Sequence, residues 1–181
     1  MKKILIVGGV AGGATVAARL RRLDETANII MFERGEYISF ANCGLPYYIG
    51  QVITEREALL VQTVEGMSAR FSLDIRNFSE VTAVDPDKME VTVKNLQTGQ
   101  EYTESYDELI LSPGANPVKP PIPGLADADN VFTLRNIPDT DAIKAYVDEK
   151  EPKEAVVIGG GFIGIEMAEN LVERGVKVHL V

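Results

Sequence analysis

The sequence has little of what marks disulfide-stabilised, membrane-spanning or nucleic-acid-binding proteins. Cys43 is the single cysteine among 181 residues, so no disulfide can form within the chain. No apolar run approaches the roughly 18 residues of a membrane span, and we expect none. The formal net charge of −9 argues against a nucleic-acid or anionic-membrane surface, because both need clustered positive charge. We therefore expect a cytoplasmic protein with no nucleic-acid partner and no structural disulfides.

The sequences at the two ends of the chain are each informative about its organisation. The N-terminal sequence MKKILIVGGVAGG begins with lysines and an apolar stretch, but glycines interrupt that stretch after Val7. This pattern favours a first core strand over a signal peptide, whose apolar region is longer. The C-terminal sequence VKVHLV stops within an apparent buried strand, so we expect the chain to be part of a longer protein.

A strand, glycine turn, helix, strand and acid follow one another at the N-terminus. Residues 3–7 (KILIV) and 28–32 (NIIMF) are β-type runs, the helical pattern ATVAARLRRL lies between them, and Glu33 ends the second run. This order is typical of a dinucleotide-binding unit. Glycines let the backbone approach a pyrophosphate, and the acid accepts hydrogen bonds from a ribose.

The first glycine turn departs from the G-x-G-x-x-G pattern at one position. Gly8 and Gly13 occupy the first and third glycine positions, but Val10 stands in the middle, where Gly9 and Gly12 partly compensate. A generic glycine-rich turn of an α/β protein stays open as the alternative.

A second unit at residues 155–181 matches the pattern without a departure, through Gly159, Gly161 and Gly164. Two such turns in one chain are much stronger evidence than one. The predicted helix has apolar residues on roughly one face and a C-terminal glycine cap: Ile163, Met167, Leu171, Val172 and Gly175.

The chain between the units reads as β-rich. A hairpin is predicted at residues 85–88, a strand ends in LIL at Leu111, and a close-approach turn follows at residues 112–114. A proline-rich connector then leads to a helix entered near Asp139. The sequence predicts an α/β fold in which a parallel sheet carries a β-rich excursion.

Cys43 lies in the segment SFANCGLPYYIG. If a helix begins near Gly44, its free N–H groups would stabilise a thiolate. The alternative is a small buried hydrophobe. The polar or small neighbours Ser39, Asn42 and Gly44 favour a reactive site.

Several segments together resemble one family. VGGVAGGATVAARLRRLDE, FERGEYISFANCGLPYYIG, LILSPGANP, TLRNIPDTDAI and VVIGGGFIGIEMAENL are similar to the coenzyme A-disulfide reductase branch of the single-cysteine, FAD-dependent pyridine nucleotide-disulfide oxidoreductases, which includes NADH-dependent persulfide reductases. The resemblance implies a homodimer. It also implies a Rossmann-like FAD-binding domain at residues 1–115, a connector at 116–152 and the start of a Rossmann-like NAD(P)-binding domain at 153–181.

The resemblance also implies roles for individual residues, with Cys43 as the redox cysteine facing the flavin. The residues implied for FAD are Gly8, Val10, Ala11, Gly12, Gly13, Glu33, Arg34, Asn42, Val81, Ser112, Pro113 and Gly114. Those implied for NADH or NADPH are Gly159, Gly161, Phe162, Ile163, Gly164 and Glu166, with Phe162 as an aromatic gate over the flavin and Glu166 as an acid near its ring. Those implied for a coenzyme A disulfide or persulfide substrate are Arg19, Arg22, Ser39, Asn42 and Arg70. No metal site is predicted.

For some of these residues a purely structural role stays open as the alternative. Phe162 is alternatively a core side chain, Glu166 part of a solvated helix face, and the arginines of residues 19–22 another solvated face.

Three other functions stay open. NADH oxidases and peroxidases of the family cycle the cysteine through sulfenic acid and carry a histidine in the first glycine turn, where this chain has Ala11. The only histidine, His179, is predicted to be structural. A flavin reductase module that passes electrons to a protein partner would generally lack Cys43, and a nucleotide sensor would bind no flavin.

Overall fold

The computed structural model describes residues 2–181 and divides them into two compact units. The first unit comprises the chain up to Phe40 together with Leu60–Gly114, and the second comprises Ala41–Leu59 together with Ala115–Val181. The first unit contains two sheets and the second unit contains one, and the apolar clusters of the two units are separate.

The described chain contains both strands and helices, as the sequence predicts for an α/β fold with a β-rich excursion. In chain order they are β1 (Lys3–Val7), α1 (Ala11–Leu23), β2 (Asn28–Phe32), α2 (Leu45–Ile49), α3 (Val64–Phe71), β3 (Asp74–Arg76), β4 (Ser79–Asp85), β5 (Glu90–Asn95), β6 (Glu101–Ser105), β7 (Glu108–Leu111), α4 (Ile137–Lys150), β8 (Glu154–Val157), α5 (Phe162–Glu173) and β9 (Lys177–Leu180). Two short 3₁₀ turns cover Asn42–Gly44 and Arg56–Leu59.

The first unit is built on a parallel sheet of order β3-β2-β1-β7. Leu5 in the middle of β1 pairs with Ile30 on one side and Leu109 on the other. Its neighbours Ile4 and Ile6 are also buried, as expected for a central strand covered on both faces. This parallel sheet confirms the predicted fold class.

The β-rich excursion forms an antiparallel sheet of order β4-β5-β6. β4 and β5 are joined through the turn predicted at residues 85–88, which is confirmed. Val91 and Val93 of β5 pack with Leu5, Ile30 and Phe32, so the excursion covers one face of the parallel sheet. Helix α1 covers the other face through Ala14 and Ala17 in a cluster with Ile4 and Ile6.

The second unit pairs β8 and β9 in parallel and packs α4 and α5 around one apolar cluster. That cluster contains Ile49 of α2 as well as Ile143, Val147, Met167 and Leu171. The segment of residues 41–59 therefore belongs to the core of this unit. The predicted domain boundaries at 115 and 152 stay a prediction.

The predicted apolar face of α5 is wrong in part. Met167 and Leu171 are buried, but Ile163 and Val172 are 57% and 56% exposed. At about 100° per residue, nine residues place Val172 half a turn away from Ile163, so one face cannot hold both. The predicted cap is confirmed, since Gly175 has a φ of +76° and donates its N–H to the Val172 carbonyl.

Helix α4 begins a few residues before the predicted entry near Asp139. Asn136 is its N-cap and accepts a hydrogen bond from the Asp139 N–H at 2.9 Å. The Asp139 carboxylate in turn accepts from the Arg135 N–H at 2.9 Å. Asp139 is therefore the third helical residue, and its carboxylate accepts from the residue just before the N-cap, in a variant of the reciprocal capping arrangement.

Across residues 2–181, every helix is too short or too polar to cross a membrane.

Candidate functional site

The first glycine turn is shaped by two positions that no larger residue can occupy. Gly8 has a φ of +97°, and a Cβ there would lie 2.0 Å from the Ser112 carbonyl oxygen. A Cβ on Gly13 would lie 1.7 Å from the Gly8 carbonyl oxygen. Gly12 adds a third close approach, since its Cβ would lie 3.1 Å from Ser112 Oγ. The turn, the start of α1 and the end of β7 therefore meet at one point, as the predicted roles of these residues require.

Glu33 holds this turn from the end of β2. Its Oε2 accepts a hydrogen bond from the Gly9 N–H at 2.8 Å, and its Oε1 accepts from the Gly35 N–H at 2.8 Å. Each carboxylate oxygen keeps a second lone pair, so the acid can also accept from a ribose hydroxyl. The sequence predicts the ribose contact but not this role in fixing the turn.

The second glycine turn repeats the geometry of the first. Gly159 has a φ of +107°, and a Cβ on Gly164 would lie 1.9 Å from the Gly159 carbonyl oxygen. Gly161 is the N-cap of α5, the position that Val10 holds for α1. A Cβ on Gly160 or Gly161 would meet nothing within 4 Å, so the outer face of this turn is open. The matching frames explain why Val10 is tolerated, because a Cβ at the equivalent N-cap position, Gly161, meets nothing within 4 Å.

The four longer helices of the described chain differ in whether a side chain caps their first turn. In α3 and α4, the side chains of Thr63 and Asn136 cap the first turn. In α1 and α5, no side chain caps the first turn and no acid lies within it. Free N–H groups and an uncompensated positive helix end fit a pyrophosphate. The residues at both glycine turns therefore fit dinucleotide cofactors.

The other residues predicted for FAD lie after β7, on β4 and after β2. Pro113 and Gly114 follow Ser112, and Gly114 has a φ of +67°. Val81 lies on β4 beside a register shift between Val81 and Ala83, while Arg34 is exposed just after β2.

Phe162, at the start of α5, is 89% exposed. The alternative that Phe162 is a core side chain is therefore wrong, and its ring is available to a ligand. Glu166 is half-buried, and its backbone carbonyl accepts from Asn170 Nδ2 at 2.8 Å.

Cys43 is exposed in the 3₁₀ turn Asn42–Gly44, directly before α2. The alternative of a buried hydrophobe is therefore wrong. The predicted helix start near Gly44 is confirmed, but α2 has five residues, so its N-terminal field is weaker than that of a long helix. Asn42 is also exposed in the same turn.

The predicted substrate arginines divide into different environments. Arg22 and Arg70 both lie against the Phe71 ring, with guanidinium carbons 5.9 Å and 5.2 Å from its centroid. Arg19 is exposed on the face of α1 that it shares with Arg22. Arg21 differs, because it donates hydrogen bonds to the backbone carbonyls of four residues, namely Phe71, Ser72, Asp24 and Glu25. Arg22 and Arg70 thus share one aromatic ring, whereas Arg21 holds the end of α1 through backbone carbonyls.

Ser39 belongs to the first unit, where its N–H donates to the Gly9 carbonyl oxygen at 3.1 Å. Its backbone has a φ of +43°. His179 lies on β9 and is 3.2 Å from Glu154 Oε2 on β8, which fits its predicted structural role. The part of the chain that the structure describes contains no cluster of His, Cys, Asp or Glu that could hold a metal ion.

The two uncapped glycine turns fit two dinucleotide cofactors, and Cys43 is an exposed thiol. The family model of pyridine nucleotide-disulphide oxidoreductases matches residues 2–181, and the chain belongs to this family.

Three relatives refine that assignment. The chain is 44% identical over its whole length to a coenzyme A disulfide reductase from Staphylococcus haemolyticus, of which it spans 40%. It is 67% identical to the solved structure of reduced CoADR-RHD from Bacillus anthracis, with a TM-score of 0.97 over 99% of this chain and 32% of that one. It is 34% identical to a solved NAD-dependent persulfide reductase from A. fulgidus, with a TM-score of 0.92 over 98% of this chain and 33% of that one.

The resemblance to the coenzyme A-disulfide and persulfide reductase branch is thereby confirmed. The chain spans about 40% of the length of the curated relatives that it matches.

Proposed function

We propose that the full-length protein is an NAD(P)H-dependent flavoprotein that reduces coenzyme A disulfide or a related low-molecular-weight disulfide or persulfide through Cys43. The observation that carries this proposal is the pair of uncapped glycine turns in one chain. Two dinucleotide sites suit electron transfer from one cofactor to another, and the exposed Cys43 supplies a nucleophile for the final acceptor.

The first glycine turn would hold FAD. The N–H groups at the start of α1 would bind its pyrophosphate, and Glu33 would accept hydrogen bonds from its adenosine ribose. Ser112, Pro113 and Gly114 would pass beside the same cofactor. The turn of residues 159–164 would hold NADH or NADPH in the same manner, with Phe162 and Glu166 next to the nicotinamide end.

Cys43 would act by thiol-disulfide exchange. Its thiolate attacks one sulfur of a coenzyme A disulfide, forms a mixed disulfide, and releases the other coenzyme A as a thiolate. FAD, when bound, supplies two electrons taken from NAD(P)H, which return Cys43 and the second coenzyme A to thiols. Arg22 and Arg70 would neutralise phosphates of the coenzyme A nucleotide, because guanidinium groups bind phosphate oxygens well.

Assembly and location complete the proposal. The full-length protein would be a homodimer in the cytoplasm, where a reducing environment keeps a free thiol such as Cys43 available. Light scattering of the purified protein tests the dimer.

The activity is tested by following NADH and NADPH oxidation by the yellow, purified full-length protein with coenzyme A disulfide as acceptor. We expect turnover that needs the disulfide and is lost in Cys43→Ser with FAD retained. Turnover with oxygen or peroxide alone would move the protein to the oxidase or peroxidase alternative. Full disulfide reduction by Cys43→Ser would overturn the role of the cysteine.

A further inference from the structure

The Cys43 turn and α2 form one short continuous piece of backbone. The 3₁₀ turn Asn42–Gly44 runs directly into α2, and the Leu45 N–H donates to the Asn42 carbonyl oxygen. Five residues make a helix about 7.5 Å long. A helix of this length is not stable by itself, so its position depends on what it packs against. The position of the Cys43 thiol depends on the same contacts.

Arg174, at the C-terminal end of α5, binds the C-terminal end of α2. Its Nη1 donates a hydrogen bond to the Ile49 carbonyl oxygen at 2.8 Å, and its side chain is only 15% exposed. Helix C-terminal carbonyls carry partial negative charge, so a guanidinium is a favourable partner there. Next to this contact, Asn170 lies so close to Gly50 that a Cβ on Gly50 would lie 2.0 Å from Asn170 Oδ1. Helix α2 therefore meets α5 at its backbone.

Asp148 of α4 orients Arg174. Its Oδ1 accepts from Arg174 Nη2 at 2.6 Å, while its Oδ2 accepts from Lys144 Nζ at 2.7 Å. Lys144 Nζ also lies 5.3 Å from the centroid of the buried Tyr48 ring of α2. We call Arg174, Asp148 and Lys144 the Arg174 clamp. The clamp contacts α2 at the Ile49 carbonyl oxygen and at the Tyr48 ring.

The helix that carries Arg174 also begins at the second glycine turn. Helix α5 starts at Phe162, directly after Gly161, and Arg174 is its C-cap. Its twelve residues span about 18 Å. One rigid helix thus carries the turn proposed for the nicotinamide cofactor at one end and the contact to the Cys43 segment at the other.

We propose that Arg174, oriented by Asp148, is a positioning residue for Cys43: it fixes α2 on α5 and thereby holds the thiol in its reactive place. The inference rests on the proposed redox role of Cys43. Loss of Arg174 leaves the Ile49 carbonyl without this donor and lets α2 and the adjoining turn shift. Displacements of about 1 Å in an active site can lower the reaction rate by up to about a hundredfold.

The test uses the full-length flavoprotein with three substitutions. Arg174→Met keeps the length of the side chain and removes its donors, Arg174→Lys restores a single charged donor, and Asp148→Asn weakens the orientation of Arg174. Lys177→Met is the matched control, because it breaks an exposed ion pair with Glu154 in the same unit. The kcat and KM for NADH with coenzyme A disulfide, the melting temperature, and the alkylation rate of Cys43 by iodoacetamide, mapped by peptide mass, are measured for each.

For Arg174→Met we expect kcat to fall about tenfold with the KM for NADH changed less than about twofold, because only the thiol is displaced. Arg174→Lys should recover part of the loss, Asp148→Asn should lie between wild type and Arg174→Met, and Lys177→Met should match wild type. The alkylation rate of Cys43 should change at least about threefold in Arg174→Met, by a smaller factor in Asp148→Asn, and not at all in Lys177→Met.

A wild-type kcat in Arg174→Met, or a lower melting temperature with unchanged alkylation and kcat, would overturn the inference and leave Arg174 a structural residue. If Arg174→Met does not fold, Asp148→Asn decides through the same readouts. Failure of the proposed function is distinguishable, because Cys43→Ser would then keep its activity while the alkylation comparison still reports on the position of Cys43.

Discussion

Glu33 Oε2 accepts a hydrogen bond from the backbone N–H of Gly9 at 2.8 Å, across 24 residues of sequence. The other oxygen of the same carboxylate accepts from the Gly35 N–H at 2.8 Å. One acid at the end of β2 therefore fixes the glycine turn after β1 through hydrogen bonds of the protein itself. A preformed turn lowers the conformational entropy that binding must overcome.

Replacing Glu33 should weaken FAD binding more than loss of a ribose contact alone. Glu33→Ala removes two charge-assisted hydrogen bonds within the protein, and we expect the Kd for FAD to rise by about 10- to 100-fold. Fluorescence titration of the apoprotein with FAD measures this change. The exposed Glu36→Ala serves as control and should bind FAD as the wild type does. An unchanged Kd in Glu33→Ala would contradict the role of the acid at this turn.

Substitution of the third glycine of each turn should affect the cofactor of that turn and leave the other cofactor bound. Gly13→Ala and Gly164→Ala each force a Cβ to within 2 Å of a carbonyl oxygen, at 1.7 Å and 1.9 Å respectively. We expect Gly13→Ala to purify without flavin. Gly164→Ala should stay yellow but lose reduction of its flavin by NADH and NADPH, which visible absorbance records.

The exposed Glu169→Ala, on the same helix as Gly164, controls for a change in α5 that does not touch the turn. Reduction of bound flavin by NAD(P)H at the wild-type rate in Gly164→Ala would contradict the assignment of the second turn.

Two adjacent arginines should respond differently to substitution. Arg22→Gln removes a charge beside Phe71, so the KM for coenzyme A disulfide should rise about 5- to 20-fold. The KM for pantethine, a disulfide without the nucleotide phosphates, should not change. Arg21→Gln instead breaks hydrogen bonds to backbone carbonyls and should lower the melting temperature. Equal effects of Arg22→Gln on both disulfides would contradict a phosphate contact.

The stability of the first unit should depend on the ionisation of Glu104. Burial opposes ionisation of this carboxyl, but hydrogen bonds from Lys3 and Arg76 outweigh it and hold its pKa below the ordinary value of 4.5. A lowered pKa stabilises the fold fully above pH 4.5, and this contribution is lost as the pH falls through the lowered value.

Glu104→Gln should therefore destabilise the protein by roughly 1–3 kcal/mol at pH 7 and by much less near pH 3. Urea unfolding at the two pH values measures the difference. An equal loss of free energy of unfolding at both would show that the effect does not come from the charge. Glu101→Gln, at an exposed position of the same strand β6, is the control.

The parts of the fold that local patterns specify were predictable. The two glycine turns, the hairpin at residues 85–88 and the Gly175 cap each depend on the backbone freedom or periodicity of a few neighbouring residues. The start of α4 also had a local signal, since Asn136 and Asp139 have the spacing of a reciprocal cap. That spacing by itself predicts a helix that begins directly after Asn136.

The contacts that position the candidate site were not predictable in this way. Arg174 and Ile49 are 125 residues apart, and Glu33 and Gly9 are 24 apart. Their pairing follows from how helices and strands pack, which a local pattern does not encode. The same applies to Arg21: the helical spacing of Arg19 and Arg22 sets Arg21 apart from them, but it does not encode the hydrogen bonds of Arg21 to the Phe71 and Ser72 carbonyls.

The central claim, thiol exchange at Cys43, is tested most directly by the intact mass of the full-length protein, purified without reductant and denatured. Cys43→Ser is measured beside it. We predict an added mass the size of coenzyme A that disappears in Cys43→Ser, because a mixed disulfide needs the thiol. One added oxygen atom on Cys43 in place of that adduct would contradict the account, since it would indicate sulfenic acid and an oxidase or peroxidase cycle.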